Sequence, residues 1–261
     1  MRLGVVSDLH LTLDPGMEAA WHNAFDFAGL PGRIDAALAA FERAGADAVV
    51  VVGDVAHDGD EPSVRAALER LSARPDRPPL VVAGNHDCLE RDDQLERCGA
   101  AMLTADGVDV AGLRLAGVPV ARDDAGLLGW TGARDGRADV VVSHFPVLSR
   151  AERLAERGLA YSGDLTNRAE LERHLAGAPV IVLSGHIHAR ETCARGNVLQ
   201  LSAGALIEAP HEVAIVDVDR ADAVRVRRRV HALGPAPAGP DPVLAPEREA
   251  WTFAAGGWRA T

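Results

Sequence analysis

The chain has 261 residues, 48% hydrophobic and 25% charged, which excludes wholesale disorder or a collagen-like repeat and fits one sizeable globular domain. Its 27 basic residues, all arginine, face 38 acidic ones for a net charge of −11, a balance that disfavours a surface built for nucleic acid or an anionic membrane. Three cysteines without CxxC spacing argue against a disulfide framework or a zinc ribbon, and no apolar run approaches the ~18 residues of a spanning helix.

Leu3 to Val6 is a short apolar run that ends at Ser7-Asp8-Leu9-His10 and reads as a buried strand. A loop with Pro15, Gly16, Pro31 and Gly32 follows and carries Trp21, His22, Phe25 and Phe27. Ile34 to Ala44 has helical spacing, with Gly45 placed as its C-terminal cap. Ala46 to Val52 is a second strand running into Gly53-Asp54, and Val64 to Leu71 a second helix stopped by the Pro75 to Pro79 stretch. Leu80 to Ala83 is a third strand, ending in Gly84-Asn85-His86-Asp87.

Near-continuous apolar strands alternating with helices suit a parallel sheet covered on both faces. From about Gly107 to Val120 the pattern changes to short alternating segments, read as antiparallel hairpins. Val140 to Val142 is a strand ending at Ser143-His144, helices follow at 149–157 and 168–176, and Val180 to Leu183 ends at Gly185-His186-Ile187-His188. Val198–Ser202, Glu212–Val218 and Ala223–Val230 complete the expected sheet-forming material. The division expected is a domain over 1–232 and a Pro/Ala/Gly-rich tail over 233–261, with Trp251, Phe253 and Trp258 docking that tail on the body.

Five apolar strands thus end in a polar cluster, and five of the ten histidines fall there. In a mostly parallel sheet the C-terminal strand ends share one edge, where ligands bind. The clusters supply carboxylates, an amide and imidazoles: too many donors for one tetrahedral zinc and, lacking thiolates, wrong for a structural zinc site. Mixed N/O donors suit Mn, Fe, Zn, Co or Ni. A set this size divides between two metals if one carboxylate bridges, and a metal pair is a clamp for in-line displacement at phosphorus.

In order, Asp8-x-His10, Gly53-Asp54, Gly84-Asn85-His86-Asp87, His144 and Gly185-His186-x-His188 resemble the five motifs of the calcineurin-like metallophosphoesterases. The resemblance covers roughly residues 1–218 and implies an α/β fold, a four-layer α/β/β/α sandwich with two mixed sheets around a dinuclear metal site. By that resemblance Asp8, His10, Asp54 and His188 bind one ion, while Asp54 bridges and Asn85, His144 and His186 join it on the other. The implied cofactors are two divalent or trivalent ions, Mn, Fe, Zn, Co or Ni. His86 is then the non-ligand histidine facing the scissile phosphate, and Asp87 beside it could orient or charge its ring.

The activity implied is hydrolysis of a small phosphodiester, a cyclic nucleotide or similar, by in-line attack of a metal-activated hydroxide. The alternative is a phosphomonoesterase acting on a nucleotide or metabolite phosphate; behind it stand a nuclease and a non-catalytic metal-bearing binding subunit. His22, Asn23, Tyr161 and Arg168 join Asn85 and His86 as candidate substrate contacts. Gly53-Asp54-Val55-Ala56-His57-Asp58-Gly59 departs from the Gly-Asp-x-x-Asp-Arg-Gly of eukaryotic Ser/Thr phosphatases and looks more like the small bacterial phosphoesterases. Cys88 reads as a small buried residue and the run Arg227–Arg229 as solvated edge protection. No membrane partner is expected, nucleic acid is disfavoured, nothing in the sequence sets an oligomeric state, and the expected location is cytoplasmic.

Overall fold

The computed structural model describes residues 1–14, 16–72, 78–87, 94–132 and 137–261. The expected role of Cys88 and part of the Pro75 to Pro79 break lie outside these residues. The first half of the chain forms β1 (Arg2–Val6), α1 (Leu30–Ala44), β2 (Ala48–Val52), α2 (Glu61–Leu71), β3 (Leu80–Val82), α3 (Gln94–Arg97) and β4 (Ala101–Met102). Then come β5 (Val108–Val110), β6 (Leu113–Gly117), β7 (Val120–Arg122), β8 (Leu128–Trp130), β9 (Val140–Ser143), α4 (Ala151–Ala155) and α5 (Arg168–His174). The chain ends with β10 (Val180–Ser184), β11 (Glu191–Arg195), β12 (Val198–Ser202), β13 (Glu212–Asp219), β14 (Arg225–Ala232), β15 (Arg248–Ala254) and β16 (Gly257–Ala260).

The strands form an eight-stranded sheet in the order β16-β15-β14-β13-β1-β2-β3-β4, a six-stranded sheet in the order β11-β12-β10-β9-β6-β5 and a separate antiparallel pair, β7-β8. Strands β1 to β4 pair in parallel, as do β6, β9, β10 and β12, while β13 to β16 and the edges β5 and β11 are antiparallel. Alternation along β2 explains the layering. Val50 and Val52 point into the core between the sheets with Leu3, Val5, Val142 and Leu183. Val51 points the other way, into a core with Ile34 and Phe41 of α1 and Val64 and Leu68 of α2. A third cluster, with Leu171 of α5 against Val141 and Val182, covers the far face of the second sheet. Continuous apolar runs are therefore strands buried on both faces. The result is the α/β/β/α sandwich.

Helix α1 starts at Leu30, earlier than expected, because Pro31 fits the first turn, where its missing N–H is not needed. It ends at Gly45 in the left-handed conformation (φ 67°). Asp60 caps α2 by accepting from the Ser63 N–H at 3.0 Å. The region 107–120 contains one antiparallel hairpin, β5–β6, but β6 then pairs in parallel with β9 and joins the second sheet.

Sheet-forming material does not end at residue 230. Strands β15 and β16 extend the first sheet, with Trp258 buried in the inter-sheet core beside Trp251 and Phe253. The run Arg227–Arg229 is not uniformly solvated either. Arg228 is 2% exposed and pairs with Glu249 at 2.7 Å. No helix among the described residues is long and apolar enough to cross a membrane.

Candidate metal centre

Each polar cluster sits just past the end of β1, β2, β3, β9 or β10, and backbone hydrogen bonds tie these ends together. The N–H groups of Asp8 and His10 donate to the carbonyls of Gly53 (3.2 Å) and Asp54 (2.9 Å), and that of Gly185 to His144 (3.0 Å). Asp8, His10, Asp54, His186 and His188 adopt left-handed φ values of 53°, 50°, 51°, 67° and 47°. Such residues cost of order 1–3 kcal/mol each and persist where the surroundings over-determine them. Gly84 is required by close approach, since a Cβ there would overlap the Asp54 carboxylate and its backbone nitrogen.

The side chains converge in two groups. In one, Nε2 of His10 lies 3.2 Å from Nε2 of His188, which lies 3.4 Å from Oδ1 of Asp8. In the other, the side-chain oxygen Oδ1 of Asn85 lies 3.0 Å from Nε2 of His144 and 2.9 Å from Nδ1 of His186. Oδ2 of Asp54 joins the two groups, 3.5 Å from Nε2 of His10 and 3.3 Å from Nε2 of His144.

The outward nitrogens of these imidazoles are held by other groups. Nδ1 of His144 faces the carbonyl of Val52 at 2.8 Å, Nε2 of His186 the carbonyl of Ser162, and Nδ1 of His188 lies 2.9 Å from Oε1 of Glu208. Nδ1 of His10 faces Nδ1 of His57 at 3.4 Å. Such outer contacts fix the tautomer and turn the other ring nitrogen inward.

Burial opposes charge on Asp8, but His188 and His144 outweigh it and hold the carboxyl at about 2. Burial likewise opposes charge on Asp54, yet His144 and then His10 keep it well below the usual range. Burial disfavours protonated His144 and His188, but Asp54 pushes the first up to about 9 and Asp8, with Glu208, the second to about 10. Burial leaves His10 well below 6.5 and, with His144, takes His186 to about 4.

Inward nitrogens and carboxylate oxygens this close repel their like neighbours unless positive charge lies among them. Protons on His144 and His188 can supply it, and divalent cations fit the same N/O donors. Asp8, His10 and His188 form one group of potential ligand atoms and Asp8, Asp54 and His144 another, each within 4.8 Å.

The other candidates do different work. Asp87 does not orient His86: its Oδ1 accepts from the Val55 N–H and its Oδ2 from the Gly84 N–H, both at 2.9 Å. His86 instead directs Nδ1 at the carbonyl of His57 and donates its backbone N–H to Oδ1 of Asp54 at 2.9 Å. His22 is buried, with Nε2 2.9 Å from the Ile187 carbonyl. Asn23 holds Gly239 and Pro240. Tyr161 donates to Asp164, and Arg168 is engaged by Asp164 at 3.1 Å and the Val147 carbonyl at 3.0 Å. Each of these four side chains has a hydrogen-bond or ion-pair partner within the protein, and Asn23, Tyr161 and Arg168 remain partly exposed.

Two residues with contacts at the centre carry little signal in the sequence. Glu208 is 1% exposed, and its one mark is an acid closing the apolar run Ala205-Leu206-Ile207. His57 stands out only as part of a departure from another family's motif.

Residues 1–190 match the family model described as calcineurin-like phosphoesterase. No curated protein matches the chain. Among solved structures, a dimetal phosphatase from Danio rerio superposes with a TM-score of 0.64 at 14% identity, covering 97% of this chain and 99% of its own. A phosphoesterase from E. coli gives 0.44 at 15% identity, covering 86% and 91%. An archaeal phosphodiesterase gives 0.43 at 15%, covering 88% and 100%. The first of these likenesses is one of fold.

Proposed function

The chain belongs to the calcineurin-like phosphoesterase family and is a hydrolase of phosphoester bonds; on that premise we propose that it hydrolyses a small phosphodiester, a cyclic nucleotide or similar. The observation that carries a two-ion reading is the Asp54 carboxylate, shared between the two groups of donors. Asp8, His10, Asp54 and His188 would hold one ion, and Asp54, Asn85, His144 and His186 the other. When bound, Mn, Fe, Zn, Co or Ni ions supply an activated water and neutralise phosphoryl oxygens.

The chain's own residues position the rest. The Asp54 carboxylate is fixed from outside by the His86 N–H. With Nδ1–H of His86 donated to the His57 carbonyl, Nε2 is the ring nitrogen that faces substrate. In the imidazolium form it gives its proton to the leaving oxygen, leaving the neutral Nδ1–H ring. A diester carries one negative charge, which suits a site whose candidate arginine, Arg168, is already committed to Asp164.

A phosphomonoester is the second reading. It is favoured by the positive charge of Arg122, which donates to the Gly126 carbonyl at 2.8 Å and whose Nη2 lies 3.4 Å from the Asn85 carbonyl. Purified protein with added Mn²⁺ should turn over bis-p-nitrophenyl phosphate faster than p-nitrophenyl phosphate. The reverse preference would favour the monoesterase. Asp54→Ala should lose both metal and activity; retention of both would overturn the site.

A further inference from the structure

Four imidazoles of the centre have an outward nitrogen held by a neighbour, and for three of them that neighbour is an oxygen. His10 differs, because the atom facing its Nδ1 is Nδ1 of His57 at 3.4 Å. The same residue reaches His86 twice. Its carbonyl accepts from Nδ1 of His86, and its ring stacks on that of His86 with centroids 5.3 Å apart and planes 27° apart.

His57 is itself held in place. Its backbone N–H donates to the carbonyl of Leu11 at 3.0 Å, next in sequence to His10. Phe27 and Phe25 meet its ring edge to face, with centroids 5.3 and 5.9 Å away. A ring fixed by backbone and by two aromatic neighbours can transmit its orientation to both partners.

We propose that His57 is a positioning residue that links a metal ligand, His10, to the leaving-group histidine, His86. Its Nδ1 accepts from Nδ1–H of His10, which leaves Nε2 of His10 bare and directed inward. Its ring sets the plane of His86 and its carbonyl keeps a proton on Nδ1, so that Nε2 is the nitrogen that gives the second, imidazolium proton to the leaving oxygen. The proposal rests on the phosphoesterase reading above for the roles of His10 and His86.

Two substitutions separate the Nδ1 contact to His10 from the ring stack on His86, and both keep the backbone carbonyl. His57→Asn places an amide oxygen near the position of Nδ1 and removes the ring; His57→Phe keeps a stacking ring and removes the acceptor. Mn²⁺ affinity of the full chain is measured by competition with a chromophoric chelator, and kcat is compared for diesters with good and poor leaving groups. His57→Phe should lose about 10-fold or more in Mn²⁺ affinity, the scale set by outer partners of metal ligands, and His57→Asn should restore most of it. His57→Asn should instead lose rate selectively on the poor leaving group.

Wild-type affinity in His57→Phe together with a wild-type leaving-group ratio in His57→Asn would overturn the proposal. His86→Ala, run in parallel, identifies failure of the underlying reading. If it leaves the leaving-group ratio unchanged, His86 does not act at the leaving oxygen, and the affinity loss in His57→Phe with its rescue in His57→Asn still decides the contact to His10.

Discussion

Oε1 of Glu208 lies 2.9 Å from Nδ1 of His188, and Oε2 of the same carboxylate accepts from the Asn23 N–H at 2.8 Å. One buried acid therefore orients an imidazole of the candidate metal centre and anchors the loop that follows the first motif. Glu208→Gln weakens the first contact and can keep the second. It should cost about 10- to 100-fold in metal affinity. Metal content after dialysis against graded chelator checks this; full occupancy at wild-type chelator levels would contradict it.

Metal uptake should release protons. His144 at about 9 and His188 at about 10 lie above the ordinary 6.5, so in metal-free protein each adds stability that is complete below 6.5 and lost as pH rises through those values. Near neutral pH both rings hold a proton that a bound cation must displace, so affinity should rise with pH. Calorimetric titration in two buffers of different ionisation enthalpy measures the release. Equal heats in both would refute it.

Gly84→Ala should cost the centre its metal. The added Cβ would overlap the Asp54 carboxylate and backbone nitrogen, so the shared ligand must move. Overpacking of this kind costs about 1–3 kcal/mol, leaving a folded protein. Elemental analysis beside a thermal melt would test it: a folded variant with a full metal complement would be the contrary result.

Asp87 braces backbone rather than His86. Asp87→Ala leaves buried N–H groups without partners, and should destabilise by roughly 3 kcal/mol. Urea unfolding reads the loss. A selective effect on poor leaving groups at unchanged stability would instead restore a role at His86.

Glu249→Ala should be severe although residue 249 lies far along the chain from the motifs. It strips the buried Arg228 guanidinium of a carboxylate 2.7 Å away. Leaving a buried charge alone costs about 3–5 kcal/mol, whereas replacing both partners with apolar residues is often neutral. The double variant Arg228→Met/Glu249→Leu should therefore be the more stable of the two in denaturant; the opposite order would count against a buried-charge penalty.

The strands of the central layers and the donor set are legible in the residues alone. Val49 to Val52 announces a strand buried on both faces, and Asp8, Asp54 and His144 are visible because each closes such a run. What surrounds those donors emerges from folding. The carbonyls of Val52 and Ser162 have no sequence signature, and Glu208 and His57 reach the centre from segments whose local pattern does not place them there. Folding also turns Asp87 toward backbone, commits Arg168 to Asp164 and buries Arg228 against Glu249. The physical reason is that an apolar run reports its own burial, while a polar side chain takes its role from the partner that folding brings to it.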